Sequence, residues 1–328
     1  MQSQKIVSEE NEGIRLDQFL CLFDEVPSRS HAAKLIENGD VQVLEITKKL
    51  KASTKLSAGQ KVVVNTPKRL PSVLSKWDYP LEIYFEDEDL IVLNKESGMV
   101  VHPSPGHPDK TLVNALLNHS DCFQMGMNEE RPGIVHRIDK ETSGLLVVAK
   151  NPETHQKLTE LFKNRDIERN YWAVCAGVPK QLSGSIESEI GRHPVNRKKM
   201  SSQSRQGKYA KTDYKILANF NKLSLVKFKL HTGRTHQIRV HCSEKHFPII
   251  CDELYSSMSG LKSFLSQKQI ADLKKLNRFF LHAAVLGFKH PRTGEKLAFY
   301  SPIPKDLQTW IDHFGFVEYL QQENFINA

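Results

Sequence analysis

The chain has 328 residues, 39% hydrophobic and 26% charged, with 46 Lys and Arg against 38 Asp and Glu for a net charge of +8. That length predicts about two soluble domains, one large enough for a substantial core, and the positive excess points toward a polyanionic partner, nucleic acid first. The cysteines at 21, 122, 175, 242 and 251 form no C-x-x-C pair, which argues against zinc ribbons and thioredoxin-like redox sites and fits a reducing cytosol; the polar start MQSQKIVSEENEG does not read as a signal peptide, and no apolar run approaches the ~18 residues of a membrane span.

In chain order, residues 1 to 11 read as a disordered lead-in. "IRLDQFLCLF" carries Leu16, Phe19, Leu20 and Phe23 at helical spacing. A second helix, "SRSHAAKLIENG", opens with Ser28 as N-cap and stops at Asn38-Gly39. The strands "VQVLEI" and "KVVVN" follow, separated by the turn "SAGQ". Arg29 and Lys34 of the second helix, with four lysines of the next loop, form a basic surface. Residues 67 to 80 hold Pro67, Pro71 and Pro80 and little periodicity, and read as a linker. From residue 81 the pieces alternate: strands around an acidic turn in "LEIYFEDEDLIVLNK", a helix "TLVNALLNHS" capped by Thr111, and a helix "NPETHQKLTELFKNR" opened by Pro152. Four further strands, "NYWAVCAG", "KTDYKILANF", "LSLVKFKLHT" and "FFLHAAVLGFKH", precede a closing helix, "SPIPKDLQTWIDHF". Many strands without a regular βαβ rhythm predict an α+β fold with a mainly antiparallel central sheet and flanking helices.

Familiar cofactor signatures are missing: no G-x-x-x-x-G-K-[ST], G-x-G-x-x-G, H-E-x-x-H or G-x-S-x-G occurs. In "LHTGRTHQIRVH" the histidines 231, 236 and 241 recur every five residues, a spacing that gives neither a helix nor a strand a common ligand face. Arg234 and Arg239 in that stretch, with a Thr-Gly pair able to turn tightly, suit anion contacts and a fixed carboxylate. Residues 191 to 215 hold three Arg and five Lys against the single acid Asp213, broken by Pro, Gly and Ser, and read as a mobile basic loop for phosphate contact. In "GIVHRIDKETSGLLVVAKN" one carboxylate, Asp139, stands among His136, Arg137 and Lys140 between two apolar runs. An Asp beside guanidinium is commonly a structural ion pair. Held ionised, it is equally equipped to be a nucleophile, and Ser143-Gly144 allows a ligand or another strand to come close.

This stretch resembles the H-R-L-D-x-x-T-S-G-L segment of the RluA-type pseudouridine synthases. "LEIYFEDEDLIVLNKESGMVVHPSPGHPDKTLVNALL", "ERNYWAVCAG", "IGRHPVNRKKM", "LHTGRTHQIRVH" and "LHAAVLGFKHPRTGEKLAFYSPIPKDL" are similar to further blocks of the family in the same order, and residues 12 to 66 resemble an S4 RNA-binding domain. Departures are Ile138 for Leu, Arg169 for Lys and Leu44 where S4 domains often have Asn. Within the family, "VVHPSPGHPDKTLVNALL" is most similar to the D type. The resemblance implies an S4 domain at 12–66, a linker at 67–80 and a catalytic domain at 81–328. It implies an isomerase converting specific uridines, most of all in large-subunit ribosomal RNA or its precursor, to pseudouridine. Asp139 is then the nucleophile, at ribose C1′ or at the base. Tyr171 stacks on the flipped-out uracil and Arg234 pairs with Asp139. Arg137 fills the gap in the RNA, and His136, Thr142, Arg192, Lys198, Lys199, Arg29 and Lys34 join it in binding substrate. No metal, nucleotide or redox cofactor is implied, and the protein is expected to be a cytoplasmic monomer. The competing reading is an RNA-binding ribosome assembly factor with no required catalysis.

Overall fold

The computed structural model describes every residue except 1, 24, 27, 28, 66–73, 105, 125–131 and 325–328. Its described parts form two compact units, Met1–Val73 and Leu74–Ala328.

The smaller unit contains β1 (Gln2–Ile6), α1 (Leu16–Phe19, extended by a 3-10 turn Leu20–Leu22), α2 (Arg29–Asn38), β2 (Val41–Val43) and β3 (Lys61–Asn65). The strands run antiparallel in the order β1-β3-β2. The first residues are therefore not a loose lead-in. They are an edge strand, with Gln2 opposite Asn65 and Ile6 opposite Lys61. Backbone pairing needs no apolar side chains, so its polar composition hides it. The helical spacing seen in sequence packs Leu16, Phe19, Leu20 and Phe23 under Leu35 and Ile36 of α2 and Val62 of β3. The expected N-cap of α2, Ser28, lies outside the described residues.

The larger unit contains β4 (Glu82–Glu86), β5 (Leu90–Lys95), α3 (Leu112–His119), β6 (Ser143–Ala149), α4 (Pro152–Asn164), β7 (Glu168–Ala176) and β8 (Ser183–Arg192). It continues through β9 (Met200–Ser201), β10 (Lys208–Phe220), β11 (Leu223–Leu230), α5 (Gln237–Glu244), α6 (Gln267–Lys275), β12 (Leu281–Lys289), β13 (Lys296–Tyr300), α7 (Lys305–His313) and α8 (Val317–Asn324). One sheet runs β4-β5-β6-β12-β7-β11-β10-β8-β9, with β13 also on β12. All its pairings are antiparallel except β12 with β6. The architecture is the expected α+β one.

Strand alternation divides the core. Leu90, Val92, Leu145 and Val147 point to the layer that includes Leu158 of α4. Ile91, Leu93, Leu146 and Val148 point to the layer that includes Leu112 and Leu116 of α3 and Leu307 and Ile311 of α7. Every residue of β6 is buried. Thr111 caps α3 through a capping box with Asn114, and Asn151 caps α4 ahead of Pro152, both as their residue types demand.

Two expectations change. Residues 74–80 join the larger unit rather than linking: Leu74, Trp77 and Tyr79 pack against its core, and the Trp77 N–H donates to the Asn114 carbonyl at 3.0 Å. The basic stretch 191–215 is not simply a loop. β8 runs to Arg192, β9 returns on it with Gly191 opposite Ser201, and β10 starts at Lys208.

Candidate active site

The stretch 133–149 folds back on itself. The Ala149 N–H donates to the Gly133 carbonyl at 2.9 Å, Ile134 bridges Val148, and the Val147 N–H donates to His136 Nε2 at 3.0 Å. Residues 133–136 thus line the edge of β6 that β12 leaves open beyond Gly144. The chain between them, carrying Asp139, becomes a tip in which Ile138 anchors in the apolar core while the Asp139 side chain stays partly exposed. This answers why one acid stands in a polar break between two apolar runs.

The tip is fixed through its backbone. The Thr142 N–H donates to the Asp139 carbonyl at 3.1 Å. Lys95 is buried, and its Nζ donates to the carbonyls of Glu96, Met99 and Lys140 at 2.6, 2.9 and 3.1 Å. The Gly98 N–H also reaches Lys140, and Ser97 Oγ donates to the Glu141 carbonyl. At the start of β6, Gly144 has φ +120°, and a Cβ there would fall on the backbone of Ala283. Glycine is required so that β12 can come alongside.

The Asp139 carboxylate is held by Arg239, whose Nη1 donates to Oδ2 at 3.0 Å. Arg239 also forks onto Asp252, Nε to Oδ2 at 2.7 Å and Nη2 to Oδ1 at 2.9 Å, and it lies 4.3 Å from the Phe279 ring centroid and 5.0 Å from that of Tyr255. Burial works against its charge, but hydrogen bonding to Asp252 and the nearby charge of Asp139 outweigh it and its pKa rises. The result is one buried cation between two carboxylates. Asp252 is almost inaccessible, whereas the Asp139 side chain keeps 18% of its surface exposed.

That open side faces a cavity lined by Asp139, Arg137, Thr142, Tyr171, Arg234 and Arg239 among others. Tyr171 projects from β7, and burial pushes its phenol pKa up, so the ring presents itself neutral. Arg137 is exposed and Thr142 buried. A neighbouring cavity of about 590 Å³ shares His236 and Arg239 with it and adds Asp252.

The expected Arg234–Asp139 pair is corrected. Arg234 lines the cavity, but its Nε donates to the Tyr209 carbonyl at 2.9 Å, and Arg239 makes the ion pair. The reason is local. Gln237 Oε1 accepts from the Arg234 N–H and from Thr232 Oγ1, and Gln237 Nε2 donates to the Lys211 carbonyl and Thr212 Oγ1. The turn is thereby pinned to β10, and α5 starts at Gln237 with Arg239 inside its first turn. The sequence offers Arg239 for anion contact but gives no sign of Asp252 and Tyr255, which lie beyond α5 with no local motif around them.

His136 is also corrected. Its Nε2 is spent on Val147, its ring lies 4.6 Å from that of Phe162, and burial pushes its pKa down to about 3. It is a neutral strut of the tip, and the cavity does not include it. The other histidines separate: His231 meets Asp213 at 2.6 Å, His236 Nδ1 lies 2.9 Å from Tyr255 Oη, and His241 bonds Ser188 and Thr212. Arg192 and Lys198 are exposed, and Lys199 Nζ lies 5.6 Å over Tyr255. In the smaller unit Arg29 donates to Asp17 at 2.7 and 3.1 Å. With Arg15 it pushes that carboxyl down to about 2, so Arg29 already has a partner, while Lys34 is exposed.

Comparison with known proteins bears on this arrangement. Residues 89–244 match the family model for RNA pseudouridylate synthase, a span containing Asp139, Tyr171, Arg234 and Arg239. An uncharacterized RNA pseudouridine synthase, YlyB, of Bacillus subtilis (strain 168) is 40% identical over 308 residues, 93% of this chain and 96% of that protein. The ribosomal large subunit pseudouridine synthase D of Escherichia coli O157:H7 is 38% identical over 308 residues, 93% and 92% of the two chains. Among solved structures, human RNA Pseudouridylate Synthase Domain Containing 4 matches with TM-score 0.52 and 27% identity, over 73% of this chain and 92% of that one. With two fifths of its residues shared along nearly its whole length, the chain belongs to the RNA pseudouridylate synthases.

Proposed function

We propose that this protein isomerises uridines of large-subunit ribosomal RNA to pseudouridine, with Asp139 as the nucleophile. One observation carries the reading. The Asp139 carboxylate is gripped from behind by Arg239 at 3.0 Å and opens on a cavity whose wall includes Tyr171. A carboxylate fixed by guanidinium stays charged and aimed, and an aromatic wall suits a base taken out of its stack. The large-subunit substrate rests on the names of the D-type relatives, of which the Escherichia coli and Pseudomonas aeruginosa proteins are both 38% identical to this chain.

In this reading the uridine flips into the cavity and exposed Arg137 fills its place in the RNA, offsetting part of the few kcal/mol that flipping costs. Asp139 attacks at C1′ or at the base, the glycosidic bond breaks, and the ring turns and rejoins through C5. Tyr171 stacks on the uracil. Arg234, anchored at Tyr209, serves as a rim cation beside Asp139. Arg192, Lys198 and Lys199, with the smaller unit as an S4 domain presenting Lys34, neutralise phosphates. The test is purified Asp139→Asn on unmodified large-subunit rRNA transcribed with [5-³H]uridine. Tritium release should fall by about 10³-fold or more while RNA binding stays within a few-fold. Near-normal release removes Asp139 from the role. RNA binding without release by the parent protein favours the assembly-factor reading.

A further inference from the structure

The cavity wall carries a second buried cation, Arg169. The residue is 7% exposed, and among the described residues its Nε has no hydrogen-bond partner. Its guanidinium makes one long bond, Nη2 to the Leu230 carbonyl at 3.5 Å, and lies 5.2 Å from the centroid of the Phe162 ring. Burial works against its charge, the Tyr171 phenol offsets that only in part, and no carboxylate among the described residues does. Arg239, by contrast, has two carboxylates. A buried charge costs a great deal unless it is paired, so a cation left this way in a substrate cavity calls for a partner that arrives with the substrate.

Position supports the same conclusion. Arg169 and Tyr171 are two residues apart on β7, so they share a face, and both line the cavity with Asp139. Opposite Arg169 stands Gly233, where a Cβ would lie 3.1 Å from Nη1. Any larger residue there would crowd the guanidinium.

We infer that Arg169 contacts the substrate directly, donating hydrogen bonds to a carbonyl oxygen of the flipped-out uracil and stabilising the negative charge the ring takes on when it leaves the ribose. The inference rests on the proposed isomerase activity. Wherever Asp139 attacks, the C1′–N1 bond breaks with its electron pair remaining on the ring, where the charge spreads over N1 and the carbonyl oxygens. The ring then bonds to C1′ through C5, C5 sheds its proton, and N1 gains one, so atoms and charge balance. Preorganised donors at developing charge are among the larger contributions an enzyme makes.

The experiment compares the full-length parent, Arg169→Lys and Arg169→Met under single turnover, again on [5-³H]uridine large-subunit rRNA, with RNA affinity and thermal midpoint measured alongside. Arg169→Met should slow tritium release about 10²-fold with RNA Kd within threefold of the parent, and Arg169→Lys, which keeps the charge, should recover at least tenfold of that loss. Release by Arg169→Met within threefold of the parent overturns the assignment. So does equal loss in both variants with matching falls in thermal midpoint, which would mark a packing role. If the parent itself releases no tritium, the isomerase reading fails rather than this one.

Discussion

Asp139 and Arg239 stand 100 positions apart in the chain and meet at 3.0 Å, and the same guanidinium fork holds Asp252. Removing Arg239 therefore does two separable things: it frees the Asp139 carboxylate, and it leaves Asp252 buried without a counter-charge. Losing one partner of a buried pair costs about 3–5 kcal/mol. Arg239→Met should lower the thermal midpoint by several degrees as well as abolish turnover. Arg239→Met with Asp252→Leu should recover stability but not activity. Full activity in the double variant would show that Asp139 needs no clamp.

Acid should weaken the fold in a defined window. Burial pushes His136 down to about 3 and His241 and His282 each down to about 4, from an ordinary 6.5. Their folded pKa values are depressed, so the unfolded chain binds more protons between those values and 6.5. The stability from keeping them neutral is complete above pH 6.5 and is lost as pH falls toward 4. His282 illustrates the cause: its ring is completely buried, and burial outweighs the hydrogen bond from its Nε2 to the Ser301 carbonyl at 3.0 Å. Urea midpoints should drop between pH 6 and pH 5, with up to about 1 kcal/mol for each histidine, and His282→Gln should flatten that slope. A midpoint steady or rising across this interval contradicts the assignment.

Gly144 should tolerate no side chain. Alanine there meets both an unfavourable φ of +120° and the backbone of Ala283. The expected loss for Gly144→Ala is at least about 3 kcal/mol. Gly294→Ala, at φ +74° with nothing within 4 Å of the new Cβ, should cost only about 1–2 kcal/mol. Equal thermal midpoints for the two variants would show that the β6–β12 junction yields.

Charge on the β8–β9 hairpin should set salt sensitivity without setting chemistry. Alanine at Arg192, Lys198 and Lys199 together should lower the slope of log affinity against log salt by about 2, with single-turnover tritium release at saturation nearly unchanged. An unaltered slope would place the RNA elsewhere.

The strands and helices around the site were legible in sequence because their signals are local. The short apolar runs in "DLIVLNK" and "SGLLVVA" match the buried strands β5 and β6, and Thr111 and Pro152 open helices where their backbone preferences predict. The Asp139 tip was legible because an acid between two apolar runs is out of place unless it is held there. The arginine pairing was not. Ile238, Val240 and Cys242 alternate as a strand would, so the helix that carries Arg239 inward is disguised. Asp252 is recruited by tertiary contact alone, which no spacing announces. The edge strand β1 was missed because its partners are backbone groups.

The most direct test of the central claim is a map of pseudouridines in large-subunit rRNA from cells lacking this gene, complemented with the parent chain or with Asp139→Asn at equal abundance. Specific pseudouridines should vanish in the deletion strain, return with the parent and stay absent with Asp139→Asn. The same sites restored by the asparagine variant, or a map unchanged by the deletion, would contradict the account.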